Sequence, residues 1–214
     1  MIVISLGGSI VVPDNIDTNF IKKFKELIKN TKCIIVVGGG SIARKYIQAS
    51  SNFNSSDYDK DLIGIRATKL NAELIRVAMN IKSDIIEDPD NFKVTENIMI
   101  ASGHKPGQST DQVACLIANK VNAEYVLNLS NTYHVYDKDP KLKGAKPLEN
   151  LSWNDMEKIV GKEWKPGLNV PFDPVATQFC KKKNIKVIIT NGTDLINLKK
   201  ILNDEKAKAT YIDV

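Results

Sequence analysis

The sequence contains little arginine, histidine or cysteine, and each scarcity argues against a class of protein. Arginine supplies only 3 of the 30 basic residues, whereas nucleic-acid-binding proteins concentrate basic side chains and use arginine forks on bases and phosphates. The formal charge of +5 therefore does not predict a nucleic-acid partner. The 2 histidines form no HExxH metal motif. The 3 cysteines form no CxxC pair, which favours buried thiols in a reducing cytosol over zinc ligands or disulfides.

Long apolar segments are also missing. No hydrophobic run approaches the roughly 20 residues that span a bilayer, and the N-terminus lacks the pattern of a signal peptide. We therefore expect a cytoplasmic protein without a membrane partner. Aromatic residues make up only 7%, but hydrophobic residues together reach 43%, which is enough for a core of Ile, Val, Leu and Ala. A length of 214 residues predicts one domain, 1–214.

Apolar runs alternate with helical periodicities along the chain. The runs predict strands at 2–6, 33–37, 83–87, 97–101, 125–129, 133–136, 185–189 and 210–212. Apolar spacings of three and four predict helices at 20–28, 41–47, 61–81, 110–121, 152–160, 174–183 and 194–202. Polar or turn-forming residues predict loops at 50–60 and 138–147. Because several strands are apolar on both faces, we predict an α/β fold, a three-layer α/β/α sandwich with a mainly parallel central sheet.

Two consecutive predicted strands end in glycine. Gly7-Gly8-Ser9 follows the first strand, and Gly38-Gly39-Gly40 follows the second. Glycine lets backbone amides approach a ligand closely, and a helix start adds unpaired N–H groups, so the combination favours phosphate. One such loop alone is more often a tight turn, but loops at the carboxyl ends of parallel strands converge on one crevice. Neither loop is a Walker A or GxGxxG sequence, so the phosphate site is of another kind.

A third candidate loop precedes the helix predicted at 110–121. Ser109 and Gln112 have the spacing of a capping box, and Lys105 adds a cation. An ordinary capped helix would explain this loop taken alone. Beside two glycine loops, it is better interpreted as the acceptor or donor pocket of a phosphotransferase.

Arg44 and three aspartates have both a local and a functional interpretation. Arg44 lies on the first turn after Gly40, where a guanidinium reaches the same phosphate, although an exposed helix arginine is equally consistent. Asp61 precedes the predicted long helix and would be its N-cap. Asp139 and Asp173 each precede proline, which is typical of turns.

Several segments, taken in order, match a known family. The segments are 6–9, 36–41, 43–47, 61–65, 71–72, 106–111, 113–114, 135–140, and Asp173-Pro174 with Ala176. They resemble the amino-acid kinase superfamily and, within it, the archaeal-type uridylate (UMP) kinases, over nearly the whole chain. The stretch 61–71 and the Pro-Gly-Gln-Ser-Thr-Asp loop are similar to the UMP branch in particular. The resemblance implies the α/β/α fold and transfer of the ATP γ-phosphoryl group to UMP.

The resemblance also implies an ATP site and a catalytic pair. Gly8 and Ser9 would line the ATP phosphates, and Gly40 and Arg44 would reach the transferring phosphate. The adenosine pocket would comprise Ser130, Asn131, Tyr136 and Asp139. Asp173 looks like the family's helix-start aspartate, which organises the catalytic groups, so Arg44 and Asp173 would be catalytic. Mg²⁺ would arrive with ATP, held by phosphates and water rather than by a protein cage.

The UMP site follows from the same resemblance. Gly39 would meet the UMP phosphate, and Asp61 would take the ribose hydroxyls. The third loop would wrap the UMP phosphate and base through His104, Lys105, Pro106, Gly107, Gln108, Ser109 and Thr110.

Two departures from the family pattern stand out. Many members carry a lysine just before the first glycine motif, where this chain has Ser5, so the stabilising cation would be Arg44, Lys105 or Lys165. Relatives usually have Thr-Asn-Val-Asp-Gly-Val-Tyr where residues 130–136 are Ser-Asn-Thr-Tyr-His-Val-Tyr. Loss of the Asp-Gly turn predicts a different loop conformation near ATP.

Three functions are compared on this basis. The first is a UMP kinase, which the ordered motifs favour. The second is a superfamily kinase with another acceptor, which the altered ATP loop and His104-Lys105 would accommodate. The third is a non-catalytic nucleotide-binding or storage protein, consistent with the absent lysine. The helix at 61–81 is a candidate subunit interface, and the resemblance implies a homo-oligomer, specifically a hexamer.

Overall fold

A seven-stranded sheet forms the centre of the molecule. The structure is a computed structural model and describes residues 1–161, 163 and 170–213. The strands of the sheet are β1 (Ile2–Leu6), β2 (Cys33–Val37), β3 (Ile98–Ala101), β4 (Val126–Ser130), β7 (Asn150–Ser152), β8 (Val187–Asn191) and β9 (Thr210–Asp213). Their order is β3-β2-β1-β4-β8-β9-β7. All pairings are parallel except that of β8 with β9, so the prediction of a mainly parallel sheet is confirmed.

Helices connect these strands. They are α1 (Gly8–Val11), α2 (Thr18–Ile28), α3 (Gly40–Ser50), α4 (Asp57–Met79), α5 (Thr110–Val121), α6 (Trp153–Val160), α7 (Pro174–Lys183) and α8 (Leu195–Leu202). A 3₁₀ turn at Ser51–Phe53 follows α3, and a separate antiparallel ribbon pairs β5 (Val135–Tyr136) with β6 (Pro147–Leu148). None of the described helices is long and apolar enough to span a membrane.

The helices cover both faces of the sheet, because successive strand residues point to opposite sides. Ile4 of β1 belongs to one core cluster, together with buried residues of α1, α2, α4 and α8. Its neighbour Val3 belongs to a second cluster, together with buried residues of α5, α6 and α7. Fully buried Phe24 and Phe172 lie in the first and the second cluster respectively. The predicted three-layer α/β/α sandwich is confirmed.

The order of the strands creates a crevice between β1 and β4. In the sheet, β2 and then β3 follow β1 on one side, and β8 follows β4 on the other. Open α/β sheets bind ligands at such a switch point, outside the carboxyl ends of the strands. The two glycine loops and the loops after β3 and β4 all leave the sheet at this edge, so the fold positions the predicted site there.

The prediction of a loop at 50–60 is confirmed only for residues 54–56, between the 3₁₀ turn and α4. α3 continues to Ser50, and α4 already begins at Asp57. The Ser56 hydroxyl accepts the Asp59 N–H at 3.2 Å, and the Asp59 carboxylate accepts the Ser56 N–H at 3.0 Å. This reciprocal capping box explains why a polar, serine-rich stretch is a helix start rather than a loop.

Other departures concern short elements. Within the described residues, the strand predicted at 83–87 is reduced to a single bridge from Ile86 to Ala101. The helix at Gly8–Val11 and the strand at Pro147–Leu148 were not predicted, because four and two residues are too few to show a period.

Three long helices end on asparagine rather than glycine. Asn80, Asn122 and Asn184 are the C-caps of α4, α5 and α7, with φ of 58°, 48° and 53°. Helices commonly end in this left-handed region, which asparagine tolerates better than most residues.

The three cysteines are buried and free, as predicted. Cys180 and Cys115 meet between α7 and α5, with 3.0 Å between their sulfur atoms. Burial raises the pKa of the Cys115 thiol, so it is protonated.

Candidate active site

The loops after β1 and β2 lie against each other backbone to backbone. A Cβ atom on Gly8 would lie 2.0 Å from the Gly40 nitrogen and 2.5 Å from the Gly38 carbonyl carbon. Gly40 has a φ of 62°, and a Cβ there would lie 2.4 Å from the Gly8 oxygen. Only glycine permits both this approach and this backbone conformation. The structure thus brings the two predicted phosphate loops into contact.

The loop after β4 joins this contact. The Ser9 hydroxyl donates to Asn131 Oδ1 at 3.4 Å, and the Gly7 N–H donates to the Leu129 oxygen at 3.1 Å. The Ser130 side chain hydrogen-bonds within the same loop, where its hydroxyl accepts the Thr132 N–H at 3.2 Å. Of the predicted ATP residues, Ser9, Ser130 and Asn131 are therefore adjacent to the glycine loops.

The remaining predicted ATP residues lie on the β5–β6 ribbon and its turn. The Tyr136 ring meets the His134 ring edge-on, with centroids 6.5 Å apart. The Asp139 carboxylate accepts the Lys141 N–H at 2.9 Å, which is the turn role that its following proline indicates. Among the described residues, no hydrogen bond joins Tyr136 or Asp139 to the glycine loops.

A long-range hydrogen bond fixes the loop at 130–136, which was predicted to lie near ATP. Tyr133 donates its hydroxyl to Asp194 Oδ2 at 2.9 Å, and the Lys208 ammonium lies 5.4 Å from its ring centroid. Neither Tyr133 nor His134 has a positive φ, so this loop does not contain the left-handed turn that Asp-Gly favours.

Two of the candidate cations are exposed and unpaired. α3 begins at Gly40, so Arg44 starts its second turn rather than lying on the first, and its guanidinium contacts no described acceptor. Lys105 is likewise exposed, and its ammonium forms no ion pair with a described residue. Lys165, the third candidate, lies outside the described residues. A basic side chain in this state is available to a phosphate.

Asp61 holds the third loop in place. The interpretation of Asp61 as an N-cap is wrong, because α4 begins four residues earlier and is capped by Ser56. Asp61 Oδ2 accepts the N–H of Gly107 at 2.7 Å. Helix α4 is thereby joined to the loop that connects β3 with α5.

The rest of this loop forms a turn and a helix start. His104 Nδ1 lies 2.8 Å from the Glu87 oxygen. The Gln108 N–H donates to the Lys105 oxygen across Pro106 and Gly107. Ser109 caps α5 by accepting the Gln112 N–H at 3.1 Å, directly before Thr110. The reciprocal half of the predicted capping box is missing, because the Gln112 oxygen, like that of Gln108, is buried without a partner among the described residues.

Asp111 is a desolvated carboxylate beneath the crevice. Its Oδ1 accepts hydrogen bonds from the Ser5 hydroxyl at 2.9 Å and from Asn128 Nδ2 at 2.7 Å. Burial raises the pKa of Asp111 to about 6; the Ser5 hydrogen bond opposes the rise, and the charge of Asp173 adds to it. Ser5 donates a hydrogen bond to this carboxylate but supplies no positive charge.

Asp173 is a second buried acid beside Asp111, and the two are named the acidic pair here. It is the N-cap of α7, where its Oδ1 accepts the Ala176 N–H at 2.6 Å. The residue is 4% exposed, and burial raises its pKa. Its Oδ2 is buried and has no partner among the described residues. A buried carboxylate oxygen without a partner is costly and indicates a cationic or donor ligand at this point.

Asp111 and its two donors were not among the predicted site residues. Ser5 is 106 positions from Asp111 in the sequence, so their contact has no local signal. A weaker signal exists, since Ser5 and Asn128 are polar residues in otherwise apolar strands whose neighbours are buried on both faces. A polar residue in such a strand requires a buried hydrogen-bond partner.

The described residues contain no group of three or more His, Cys, Asp or Glu side chains that could hold a metal ion.

Comparison with known proteins identifies the family. The amino acid kinase family model matches residues 1–87 and 90–191. The chain is 36% identical to a uridylate kinase of Thermococcus kodakarensis over 92% of each chain. It is 33% identical to the uridylate kinase of Methanobrevibacter smithii over 99% of this chain and 98% of that one. The crystal structure of uridylate kinase from Archaeoglobus fulgidus is similar with a TM-score of 0.82, at 30% identity and 99% coverage of both chains. On these matches, the chain belongs to the amino acid kinase family.

Proposed function

We propose that this chain is a uridylate kinase, which transfers the γ-phosphoryl group of ATP to the phosphate of UMP and yields ADP and UDP for pyrimidine nucleotide synthesis. One observation carries the proposal: two glycine loops meet at the switch point of a chain that matches uridylate kinases over nearly its full length. The contact between Asp61 and the third loop adds support, because it joins that loop to α4, the helix whose Asn71 also binds the second glycine loop.

Each loop takes one part of the reacting pair. Gly8 and Ser9 bind the ATP phosphates, and the adenosine lies against Ser130, Asn131, Tyr136 and Asp139. Gly39 binds the UMP phosphate, and the loop from His104 to Thr110 wraps the phosphate and base. Asp61 binds the ribose through Oδ1, while its Oδ2 keeps the Gly107 N–H.

Phosphoryl transfer requires positioning and stabilisation of the charge on the equatorial oxygens rather than covalent catalysis. The Gly40 N–H and the unpaired Arg44 guanidinium supply that stabilisation in the proposed mechanism. Asp173, with Asp111 beside it, holds the cationic groups in place. Two buried carboxylates near phosphates repel them unless a positive charge lies between, so the acidic pair favours binding of a cation together with the nucleotide.

Mg²⁺ fits this site as a companion of ATP. The buried, unpartnered Oδ2 of Asp173 is an oxygen of the kind that Mg²⁺ accepts beside phosphates and water. The ion would neutralise charge on the β- and γ-phosphates.

A coupled assay of ADP release, with UMP, CMP, AMP and GMP at a fixed MgATP concentration, tests the proposal. We expect the highest kcat/KM with UMP, because the third loop is similar to that of the UMP branch. Equal turnover of all four acceptors would refute the choice of substrate. UMP should also raise the melting temperature, since it binds only the folded state, and stabilisation by a different acceptor alone would favour another kinase of the superfamily.

Replacement of Arg44 tests the catalytic assignment. Arg44→Ala should lower kcat/KM by about 100-fold or more, in line with the loss of one preorganised charge donor. Its melting temperature should stay unchanged, because the side chain is exposed and unpaired. Lys45→Ala, the exposed neighbour, is the matched control and should retain activity. Wild-type activity in Arg44→Ala would remove this residue from the mechanism.

We also propose a single domain over 1–214, a cytoplasmic location and a homo-oligomer, specifically a hexamer. The support for assembly is a set of exposed apolar side chains, here named the α4 patch, on α3, the 3₁₀ turn and α4. Its members are 59–83% exposed: Tyr46, Phe53, Tyr58, Leu70 and Val77. Exposed apolar surface of this kind marks interaction sites.

A further inference from the structure

Asn71 of α4 binds the backbone of the second glycine loop. Its side-chain nitrogen donates to the Gly38 oxygen at 2.9 Å and to the Gly39 oxygen at 3.0 Å. The residue is 1% exposed, so both hydrogen bonds are shielded from water and cannot be exchanged for bonds to solvent. The two oxygens belong to successive peptide groups, and one amide therefore fixes both.

The geometry of the peptide group extends this contact to the opposite side of the loop. In a trans peptide the C=O and N–H groups point in opposite directions, and the described chain contains no cis peptide bond. Because the oxygens of Gly38 and Gly39 face α4, the N–H groups of Gly39 and Gly40 face away from it, and the Gly40 nitrogen lies close to Gly8 of the β1 loop. Among the described residues, neither N–H donates to a backbone acceptor in a turn, a loop or another element.

Three successive glycines would not keep this orientation by themselves. Glycine has more backbone freedom than any other residue, and a ligand that had to order the loop would lose affinity accordingly. Donors aimed in advance contribute most to stabilising developing charge. A fixed side chain behind the loop is therefore needed, and Asn71 occupies that place.

The same face of α4 supports the next loop as well. Thr68, three residues earlier, accepts the Gly103 N–H at 2.9 Å and donates to the Ile65 oxygen at 2.7 Å. Thr68 and Asn71 are spaced so that both face the sheet. Helix α4 thus contacts the loops after β2 and β3 from behind, on the side away from the crevice.

We propose that Asn71 is a positioning residue for phosphoryl transfer, which aims the N–H group of Gly39 at the acceptor phosphate and that of Gly40 at the transferring phosphate. The inference rests on the proposed function, in which Gly39 meets the UMP phosphate and Gly40 the transferring phosphate. Asn71 itself touches no substrate.

Asn71→Asp is the decisive variant. It keeps the size of the side chain but places carboxylate oxygens against two carbonyl oxygens, which turns the peptide groups away. We expect the KM for UMP to rise about ten- to hundredfold and kcat to fall, as for a lost oxyanion donor. The KM for ATP should change less than about threefold, because Gly40 alone among the proposed ATP residues lies in the loop that Asn71 binds, and Gly8 and Ser9 do not contact Asn71.

Asn197 of α8 provides a matched control. It is also buried, and its side-chain nitrogen donates to Thr190 Oγ1 at 3.0 Å and to the Lys208 oxygen at 2.9 Å. Asn197→Asp should lower the melting temperature to a similar degree and leave the KM for UMP unchanged. A purely structural role of Asn71 would make the two variants alike.

A spectroscopic measurement covers the case in which turnover is too low to analyse. In wild-type protein labelled with ¹⁵N-glycine, UMP should shift the Gly39 amide proton downfield, and in Asn71→Asp it should not. If Asn71→Asp does not fold, Asn71→Ser, which keeps one donor, should show the same KM pattern in weaker form.

The result that overturns the proposal is an unchanged KM for UMP in a folded variant, or an equal rise in both KM values. Failure of the proposed function is a separate outcome, visible in the wild type as preference for another acceptor. The same comparison of KM values with that acceptor then decides the role of Asn71.

Discussion

At the scale of single residues, Asp111 best shows what the crevice requires. Its carboxylate is desolvated and bound by neutral donors, namely Ser5, Asn128 and the Asp173 backbone. No described cation forms an ion pair with it or with Asp173. In isolation this arrangement is unfavourable, because burial without a counter-charge disfavours ionisation. Such a group is retained where a ligand supplies the missing charge, which is why perturbed carboxylates cluster at functional sites.

Removal of this charge should stabilise the protein at high pH. The pKa of Asp111 is raised to about 6 in the folded state, above its ordinary value in the unfolded chain. Below about pH 4 the group is protonated in both states and has no effect. Between pH 4 and 6 the unfolded chain ionises first, so stability falls as pH rises, and the loss is complete above pH 6.

The corresponding variant is Asp111→Asn. Relative to wild type, its free energy of unfolding should improve by about 1–3 kcal/mol between pH 4 and pH 8, measured by urea denaturation at each pH. Asp155→Asn is the control, because the pKa of that exposed carboxyl is lowered by its Ser152 hydrogen bond and the trend should reverse. A pH-independent difference between Asp111→Asn and wild type would contradict the assignment.

At the scale of elements, the contact between the β1 and β2 loops determines the shape of the crevice. A side chain on either Gly8 or Gly40 would clash with the backbone of the other. Gly107, in the third loop, also has a positive φ, 80°, but a Cβ there would have no atom within 4 Å. A comparison of Gly40 with Gly107 therefore separates the cost of backbone strain from the cost of close packing.

Gly40→Ala and Gly107→Ala should differ in stability for this reason. Gly107→Ala should lower the free energy of unfolding by about 1 kcal/mol, the cost of the left-handed conformation alone. Gly40→Ala adds a Cβ 2.4 Å from a backbone oxygen, and should lose about 3 kcal/mol or more of unfolding free energy. Chemical denaturation of both variants at one pH checks the difference, and equal losses would mean that the loops separate without cost.

The elements also show how far sequence reasoning reaches. The strands at Ile2–Leu6 and Cys33–Val37 and the helices at Thr110–Val121 and Pro174–Lys183 were predicted with their full extent, because long buried runs and caps are local signals. The serine-rich start of α4 was taken as a loop, because a capping box and a turn use the same residues. The glycine loops were predicted, but their mutual contact, the Asp61–Gly107 bond and the acidic pair depend on tertiary packing that no local pattern encodes.

At the scale of the whole molecule, α4 has two different faces. One side carries Asp61, Thr68 and Asn71 toward the crevice loops. The other exposes Leu70 and Val77, which are 60% and 59% exposed. A helix with a second apolar stripe is typical of one that packs against a partner.

The proposed assembly predicts that a charge in the α4 patch lowers the mass of the particle. Multi-angle light scattering at micromolar concentration should give a hexamer for wild type and a smaller species for Val77→Glu, because burial of a carboxylate without a partner is unfavourable. Ile196→Glu is the control, since Ile196 is 77% exposed on α8, outside the patch. A monomeric wild type would contradict the proposal.

The asparagine caps of the long helices are related to where this chain uses glycine, the residue with the most backbone freedom. Of its 12 glycines, seven lie in the three loops of the crevice: Gly7, Gly8, Gly38, Gly39, Gly40, Gly103 and Gly107. The left-handed helix ends, where glycine is the usual choice, are occupied by Asn80, Asn122 and Asn184 instead. Conformational freedom is thus concentrated where a nucleotide would bind. A designer who seeks a more heat-resistant form should redesign the helix ends and leave every crevice glycine in place.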